Sequence, residues 1–249
     1  MEIVDRLRGF ASPAAALRRA ITLSGEGKAK QALPLLTRAA KAGIAEAEYR
    51  VARCYLEGTG VPPSRGEAAR WLERAAGHGS SDAQSLLAGL YVHGLASGAG
   101  NDRDTGAERL FGAEKAAAPD FESALKWARR AAEAGSAKGQ AVLAYILTSG
   151  PEPIRDLEAA HRWYGRSAAA DCPEGCLGYA LSLARRATDV DGQRRVADYL
   201  LRAAEAKLPS AIYLLAVLAE QGVGMAPDLE AAAGLYRRAA EIGVRSAQL

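Results

Sequence analysis

Residues 64–79 read SRGEAARWLERAAGHG, and two later stretches repeat the pattern, DFESALKWARRAAEAG over 120–135 and DLEAAHRWYGRSAAAD over 156–171. Each stretch has an alanine three residues before its tryptophan and a pair of small residues that begins four residues after it. Spacings of three, four and seven residues put side chains on one face of an α-helix. The pattern therefore predicts an amphipathic helix whose alanines let a neighbouring backbone approach closely.

The same pattern recurs along the sequence with a period of 36 residues, and the residues that close successive units are Gly43, Gly79, Gly135, Asp171, Lys207 and Gly243. One spacing is 56 residues instead of 36, which indicates an insertion of 20 residues between Gly79 and Gly135. A fixed period of this length is typical of stacked helical repeats, in which each unit buries its apolar face against the next.

Another helix-forming series begins after each closing residue and predicts the first helix of each unit. After Gly43 it consists of Ala47, Val51, Ala52 and Tyr55, and later units have small or large apolar residues at the same positions. This helix is expected to end at Gly58, Gly94, Gly150, Arg186 or Gly222, mostly with the left-handed cap that glycine favours. The second helix is expected to start after a short capping residue, namely Ser64, Asp120, Asp156, Gly192 or Asp228.

With these positions assigned, the sequence resembles the Sel1-like repeat, a relative of the tetratricopeptide repeat. The resemblance rests on the recurring alanines, the aromatic position and two glycine loops, Gly58-Thr59-Gly60-Val61 and Gly222-Val223-Gly224. It covers roughly residues 44 to 243, and a pattern repeated at many positions is far more specific than one motif. It implies an all-α fold, a right-handed α-solenoid superhelix of about six antiparallel helix pairs.

The predicted organisation starts with an N-terminal amphipathic cap, 1–12, and a tetratricopeptide-like helix pair, 13–43. Five Sel1-like repeats follow, at 44–79, 80–135, 136–171, 172–207 and 208–243, and residues 244–249 begin a further helix. The insertion lies within 95–119 of the second of these repeats. The repeat at 172–207 departs from the pattern because it lacks the loop glycines, the tryptophan and the closing glycine.

Composition and charge favour a protein-binding role over several other classes. A formal net charge of +3, with 24% charged residues of both signs, is typical of an ordinary solvated surface, and nothing in that balance requires a nucleic-acid partner. No apolar run is long enough for a membrane span, and the first residues do not resemble a secretion signal, so a cytoplasmic location is expected. Cys172 and Cys176 are interpreted as core residues, with a redox or metal pair as the alternative.

The resemblance implies a non-catalytic scaffold or adaptor that binds a partner protein or peptide, in a signalling, envelope or exopolysaccharide complex. No cofactor or metal is expected. By analogy with tetratricopeptide proteins, positions one turn away from the core series of the first helices face the concave surface: Tyr49, Arg53, Leu56, Ser85, Val92, Tyr145, Thr148, Leu177, Leu181, Tyr213 and Val217. This surface suits an apolar helix or an extended peptide. The alternative is that these residues pack against adjacent helices.

The insertion offers a second candidate contact and an alternative function. Leu110 and Phe111, in its helix-prone half, are predicted to contact a partner, or else to pack on the neighbouring unit. The alternative function is a hydrolase or metal-dependent enzyme whose site lies on the insertion and uses Asp102, Asp104 or His93. The histidines and the cysteines show no ligand spacing that would support a metal site.

Arginine precedes the small pair in every unit, at Arg38, Arg74, Arg130, Arg166, Arg202 and Arg238. One hypothesis is a positively charged ladder for an anionic partner. The favoured one is structural: each arginine lays its stem over the helix and pairs locally, as Arg202 would with Glu205. The last helix pair is predicted to expose an apolar edge, which homo-oligomer formation or a longer chain would cover.

Overall fold

A computed structural model describes residues 12–94 and 118–247, with the side chains of the last helix described as far as residue 243. The chain divides into two compact units, Met1–Ala134 and Gly135–Leu249. The described part of the first unit contains helices α1 Pro13–Gly25, α2 Ala29–Lys41, α3 Ala45–Glu57, α4 Arg65–Gly77, α5 Ser81–Val92 and α6 Phe121–Glu133. The second contains α7 Ala137–Ser149, α8 Leu157–Ala169, α9 Pro173–Ala184, α10 Val190–Glu205, α11 Pro209–Gln221 and α12 Leu229–Ala247.

Within each unit every helix packs against the next one along the chain, so the helices form consecutive hairpins. All described regular structure is helical, which confirms the predicted all-α class. The core consists largely of the alanines that the repeat pattern selected. In the second helices these are buried at Ala32, Ala68, Ala124, Ala160 and Ala232, with Val196 at the same position, and in the first helices at Ala52, Ala88, Ala144, Ala180 and Ala216.

Four second helices share one contact at their aromatic position. The Arg74, Arg130 and Arg166 guanidinium groups lie 4.7, 5.0 and 4.6 Å from the ring centroids of the tryptophans three residues earlier, and Arg202 lies 5.1 Å from Tyr199. Each of these rings is half-buried. The equivalence that the sequence pattern assigned to these positions is therefore present in the structure.

Three arginines of the series contact the preceding second helix rather than the predicted local partners. Arg74 donates to the carbonyl of Ala40 at 3.3 Å, Arg202 to that of Ala168 at 2.8 Å and Arg238 to that of Ala204 at 3.4 Å. Each acceptor lies in the last turn of the preceding second helix, where it also accepts one backbone N–H from the closing residue of its unit. Arg202 also pairs with Asp171 rather than with Glu205, so the predicted three-residue pairing is wrong there.

Two glycine loops lie close to the N-terminal part of the second helix of the preceding hairpin. Gly60, in the α3–α4 loop, has φ +83°, and a Cβ built there would lie 3.2 Å from the backbone of Ala29, at the start of α2. Gly224, in the α11–α12 loop, has φ +71° and is close to the backbone of Gln193 in α10. The Gly-x-Gly motif thus permits both a left-handed backbone and a close approach.

We expect Gly60→Ala to lower the free energy of unfolding by about 1–2 kcal/mol, because an L side chain in the left-handed region costs that much and its Cβ would also crowd Ala29. The measurement is urea denaturation followed by circular dichroism. Gly77→Ala is the matched control, since Gly77 lies inside α4 with nothing within 4 Å of the added Cβ. Equal stability of the two variants would contradict this account of the loop.

Several helix boundaries differ from the predicted ones. Asp189, not Gly192, caps α10, because its side chain accepts a hydrogen bond from the Gly192 N–H at 2.7 Å. Gly150 ends α7 in an extended conformation with φ −69° rather than a left-handed one. Helix α12 continues to Ala247, so the break predicted at Gly243, with a separate helix over 244–249, is wrong.

Some predictions fall on parts of the sequence that lie outside the described residues. These are the N-terminal cap except Ser12, almost all of the insertion with Asp102, Asp104, Leu110 and Phe111, and the last two residues. Over the described ranges 12–94 and 118–247, no helix combines the length and the apolar character required to cross a membrane.

Candidate protein-binding surface

In the first unit the predicted surface is smaller than expected. Arg53 is exposed and pairs with Glu57 through a 2.9 Å hydrogen bond from its Nε, whereas Tyr49 and Leu56 are half-buried. Burial raises the pKa of the Tyr49 hydroxyl, and the nearby carboxylate of Asp82 adds to the shift.

The prediction of surface exposure is wrong for two residues, because Ser85 and Val92 are only 4% and 7% exposed. Ser85 has a short side chain that turns back onto its own helix and donates to the carbonyl of Ser81 at 2.8 Å. Val92 is also short and lies at the end of α5. A position one turn off the core reaches solvent only when its side chain is long enough to pass its neighbours.

In the second unit three large apolar side chains of the predicted surface are exposed. Tyr145 on α7 and Leu181 on α9 are each 45% exposed, and Tyr213 on α11 is 53% exposed. Thr148, Leu177 and Val217 are half-buried beside them on the same helices. Exposed single apolar residues are common in proteins, so the arrangement around them decides what they do.

Tyr145 and Leu181 lie on the wall of a groove that α7, α8 and α9 form within the second unit. The groove has a volume of about 580 Å³, within the usual range for ligand sites. Residues from all three helices line it: Tyr145, Thr148, Ser149, Leu157, Glu158, Ala160, Tyr164, Gly178, Leu181, Ser182, Arg185 and Arg186. The groove therefore brings together Tyr145, Thr148 and Leu181 from the predicted set.

The inner part of this groove depends on a match in size between Tyr164 of α8 and Gly178 of α9. Tyr164 is buried, and a Cβ on Gly178 would overlap its ring. Burial raises the pKa of the Tyr164 hydroxyl to about 12, so the group is neutral at physiological pH. The glycine gives the ring its space, and the ring forms an aromatic surface at the back of the groove.

Charged side chains stand at one end of the groove. Arg186 pairs with Glu158 across the α8–α9 hairpin, and this pair holds the pKa of the Glu158 carboxyl below its usual range. Arg185 is exposed and takes part in no ion pair among the described residues. The groove therefore carries one positive charge that no neighbouring carboxylate offsets.

A histidine–serine pair beside the groove raises the question of catalysis. The Nδ1 atom of His161 lies 2.8 Å from the Oγ atom of Ser182, and burial together with the nearby Arg186 lowers the pKa of His161. Ser182 lies inside α9, however, where backbone N–H groups donate to carbonyls one turn earlier. The surrounding backbone therefore offers no oxyanion donors of the kind that acyl-transfer sites use.

The cysteines behave as core residues. Cys172 and Cys176 are buried thiols, and burial raises the pKa of each. Cys54 is half-buried and packs against the core of the first unit. In the part of the chain that the structure describes, no group of three or more potential ligands is placed to hold a metal ion. His93, a residue of the enzyme alternative, is an exposed cap at the end of α5.

The repeat pattern did not predict the side of the groove that the second helix contributes, with Leu157 and Tyr164, or the part played by Arg185. One signal was available. Most other repeats have alanine or leucine at the position of Tyr164 and a residue larger than glycine at the position of Gly178. Helices α8 and α9 instead combine a large tyrosine with a glycine. Such a combination marks a local change in packing.

Helix hairpins with a recurrent alanine core and an accessible groove define the class of helical-repeat binding proteins. A profile of the family described as Sel1 repeat matches residues 45–80, 104–136, 137–172 and 209–244, more than half of the chain. The protein belongs to the Sel1 repeat family. The hairpin α9–α10 lies outside the matches but folds as a repeat, and the match at 104–136 begins within the predicted insertion.

Comparison with individual proteins supports the fold. The crystal structure of a protective antigen of uropathogenic Escherichia coli with an SLR fold superposes with a TM-score of 0.72 at 22% identity, covering 92% of this chain and 46% of the antigen. The crystal structure of a Sel1 repeat protein from Oxalobacter formigenes gives 0.72 at 23% identity, covering 92% of this chain and 85% of that protein. The predicted α-solenoid class is thereby confirmed.

A curated relative with a named role is chitin synthase regulatory factor 3 of Schizosaccharomyces pombe. It is 27% identical over 249 residues, which covers 88% of this chain and 26% of the relative. The chain therefore spans about a quarter of that protein's length. The Sel1 repeat family, to which this chain belongs, consists generally of scaffolds for protein–protein interaction.

Proposed function

We propose that this protein is a non-catalytic adaptor that binds a partner protein or peptide through the first helices of its repeats. The observation that carries the proposal is the exposure of Tyr145, Leu181 and Tyr213 on three first helices of one unit. Tyrosine and other large side chains at the centre of a contact supply much of the binding energy in protein interfaces. The groove beside Tyr145 and Leu181 gives such a contact a concave anchor.

Family membership and the groove chemistry support the same function. The pair His161–Ser182 is the best arrangement for nucleophilic catalysis among the described residues, and its position inside helices α8 and α9 leaves an oxyanion without donors. The hydrolase alternative on the insertion therefore gains no support from the described residues. We assign the histidine–serine hydrogen bond to packing of the α8–α9 hairpin.

The proposal extends to the kind of complex. Among the signalling, envelope and exopolysaccharide complexes that the family resemblance implies, the name of the fission-yeast relative favours a complex that makes a polysaccharide. We further propose a cytoplasmic location, where thiols such as Cys172 and Cys176 stay reduced. Localisation of a fluorescent fusion tests this part: a fusion outside the cytoplasm would contradict it.

The binding surface is tested by pull-down with quantitative mass spectrometry, using Tyr145→Ala and Tyr213→Ala baits. We expect each substitution to lower the amount of the specific partner by about tenfold or more, because truncating a central tyrosine of an interface typically removes this much binding. Both residues are about half exposed, and the Tyr213 ring lies 5.6 Å from that of Tyr236, so the free energy of unfolding should change by no more than about 1.5 kcal/mol.

Leu201→Ala is the matched control for this experiment. Leu201 is an apolar side chain of similar exposure, 49%, but it lies on the second helix α10. We expect the control bait to retain the partner at the level of the unmodified protein. Full retention of every partner by both tyrosine variants would contradict the proposed surface.

A further inference from the structure

The groove of α7, α8 and α9 has a chemical character that selects one kind of occupant. Its apolar walls are Tyr145, Leu157 and Leu181, which are 45%, 46% and 45% exposed, and the Tyr164 ring forms its back. Water over these surfaces is released when an apolar side chain enters, and this burial favours binding. A volume of about 580 Å³ suits one or two large side chains of a peptide rather than a folded domain.

The end of the groove adds a requirement of charge. Of its charged side chains, Arg186 is already neutralised by Glu158, whereas Arg185 has no carboxylate partner among the described residues. Arg185 follows the last residue of α9, so its backbone position is fixed by the helix while its guanidinium group stays exposed. A guanidinium group binds a carboxylate with two parallel hydrogen bonds and therefore favours an acidic partner.

We propose that this groove binds an internal segment of a partner protein in which a large apolar residue stands next to an aspartate or glutamate. The apolar side chain enters between Leu157 and Leu181, and the carboxylate contacts Arg185. This proposal rests on the proposed function and deepens it, because it assigns the partner's chemistry and the one hairpin that recognises it. A lysine or arginine beside the apolar residue would meet Arg185 with like charge, which disfavours binding.

The polar groups inside the groove fit such a segment. Thr148 donates to the carbonyl of Ala144 at 2.8 Å, and Ser182 forms a hydrogen bond with His161 at 2.8 Å. Each hydroxyl group therefore already has one hydrogen-bond partner within the protein. Selectivity is thus assigned to the apolar walls and to Arg185, rather than to recognition of a polar side chain.

The test is a selection of random linear peptides displayed on phage, with the random stretch fused at both ends so that no terminal carboxylate contributes. The bait is the full chain. We expect the enriched peptides to contain a large apolar residue with aspartate or glutamate within two positions. The most enriched peptide is then synthesised with both termini blocked, and its affinity for the protein and its variants is measured by fluorescence anisotropy.

Two groove variants and two matched controls separate the outcomes. Arg185→Glu and Leu181→Ala should each weaken binding by about tenfold, and the loss from Arg185→Glu should shrink as salt is added. Arg237→Glu, on the exposed side of α12, and Leu201→Ala should leave the affinity unchanged.

Enrichment without acidic residues, or an acidic peptide whose affinity is unaffected by Arg185→Glu, would overturn the proposal. If Tyr213→Ala weakens that peptide while both groove variants bind it normally, the proposal for the groove fails and the proposed function stands. If no peptide is enriched, the proposal for the groove fails, and the pull-down with the tyrosine variants decides the proposed function separately. A second library presents the random stretch at a free C-terminus. If only this library yields binding peptides, with the terminal carboxylate as their acidic group, the assignment to an internal segment is overturned.

Discussion

Arg74→Met is expected to lower the free energy of unfolding by about 3 kcal/mol, the lower end of the range for removing one partner of a buried ion pair, because Arg74 itself is 45% exposed and His78 stays beside the carboxylate. The carboxylate of Glu48 is completely buried between Arg74 of α4 and His78, which follows that helix. Arg74 Nε lies 3.0 Å from its Oε1 atom, and His78 Nδ1 lies 2.7 Å from its Oε2 atom. Methionine keeps the stem over Trp71 but leaves Oε1 without its donor.

Arg202→Met is the matched control, measured by urea denaturation under the same conditions. Arg202 makes the same contacts as Arg74, with the ring of Tyr199 and the carbonyl of Ala168, but its carboxylate partner Asp171 is exposed. An exposed pair contributes about 0–1 kcal/mol, so this variant should lose much less stability. Equal losses in the two variants would show that the burial of Glu48 does not decide the effect.

A second substitution tests the cause directly. Glu48→Gln in the Arg74→Met background removes the buried charge, and we expect it to recover at least about 1 kcal/mol of the loss. The neighbouring hairpin already has glutamine at the equivalent position, where Gln84 is buried and donates to the carbonyl of Ala76 at 3.1 Å. A double variant no more stable than Arg74→Met would contradict the role of the uncompensated carboxylate.

The sequence pattern predicted the core of this fold accurately because burial of alanine depends only on periodicity. Positions such as Ala52, Ala68 and Ala144 recur at fixed spacing, and each must be small where two helices approach. Five of the closing positions of the units also share one backbone conformation. The structure has positive φ at Gly43, Gly79 and Gly135, and even at the substituted positions Asp171 and Lys207.

The features that the pattern missed depend on interactions between different hairpins. Arg74, Arg202 and Arg238 reach carbonyl groups of the preceding second helix, 34 residues away in each case, whereas helical spacing alone predicts only local partners. The same holds for the groove. Its far side is formed by Leu157 and Tyr164 of a second helix, whereas the predicted surface consisted of first helices only.

Gly178→Leu is expected to lower the free energy of unfolding by about 3 kcal/mol, at the upper end of the cost of overpacking a core. Even the Cβ atom would overlap the ring of Tyr164, which is 8% exposed. Gly234→Leu is the control, since a Cβ there has nothing within 4 Å. We expect that variant to match or slightly exceed the stability of the unmodified protein, because leucine is the better helix former.

A second substitution, at Tyr164, should recover part of the stability that Gly178→Leu removes. In the next hairpin pair the equivalent positions are Leu200 and Leu214, and both leucines pack into the same core cluster. Tyr164→Leu combined with Gly178→Leu would reproduce that pair, so the double variant should be more stable than Gly178→Leu alone by at least about 1 kcal/mol. Since the combination of Tyr164 with Gly178 also creates the back of the groove, the rescued variant should fold but lose the apolar peptides that the groove selects. Normal peptide binding by a stable double variant would show that the Tyr164 ring is not part of the recognition surface.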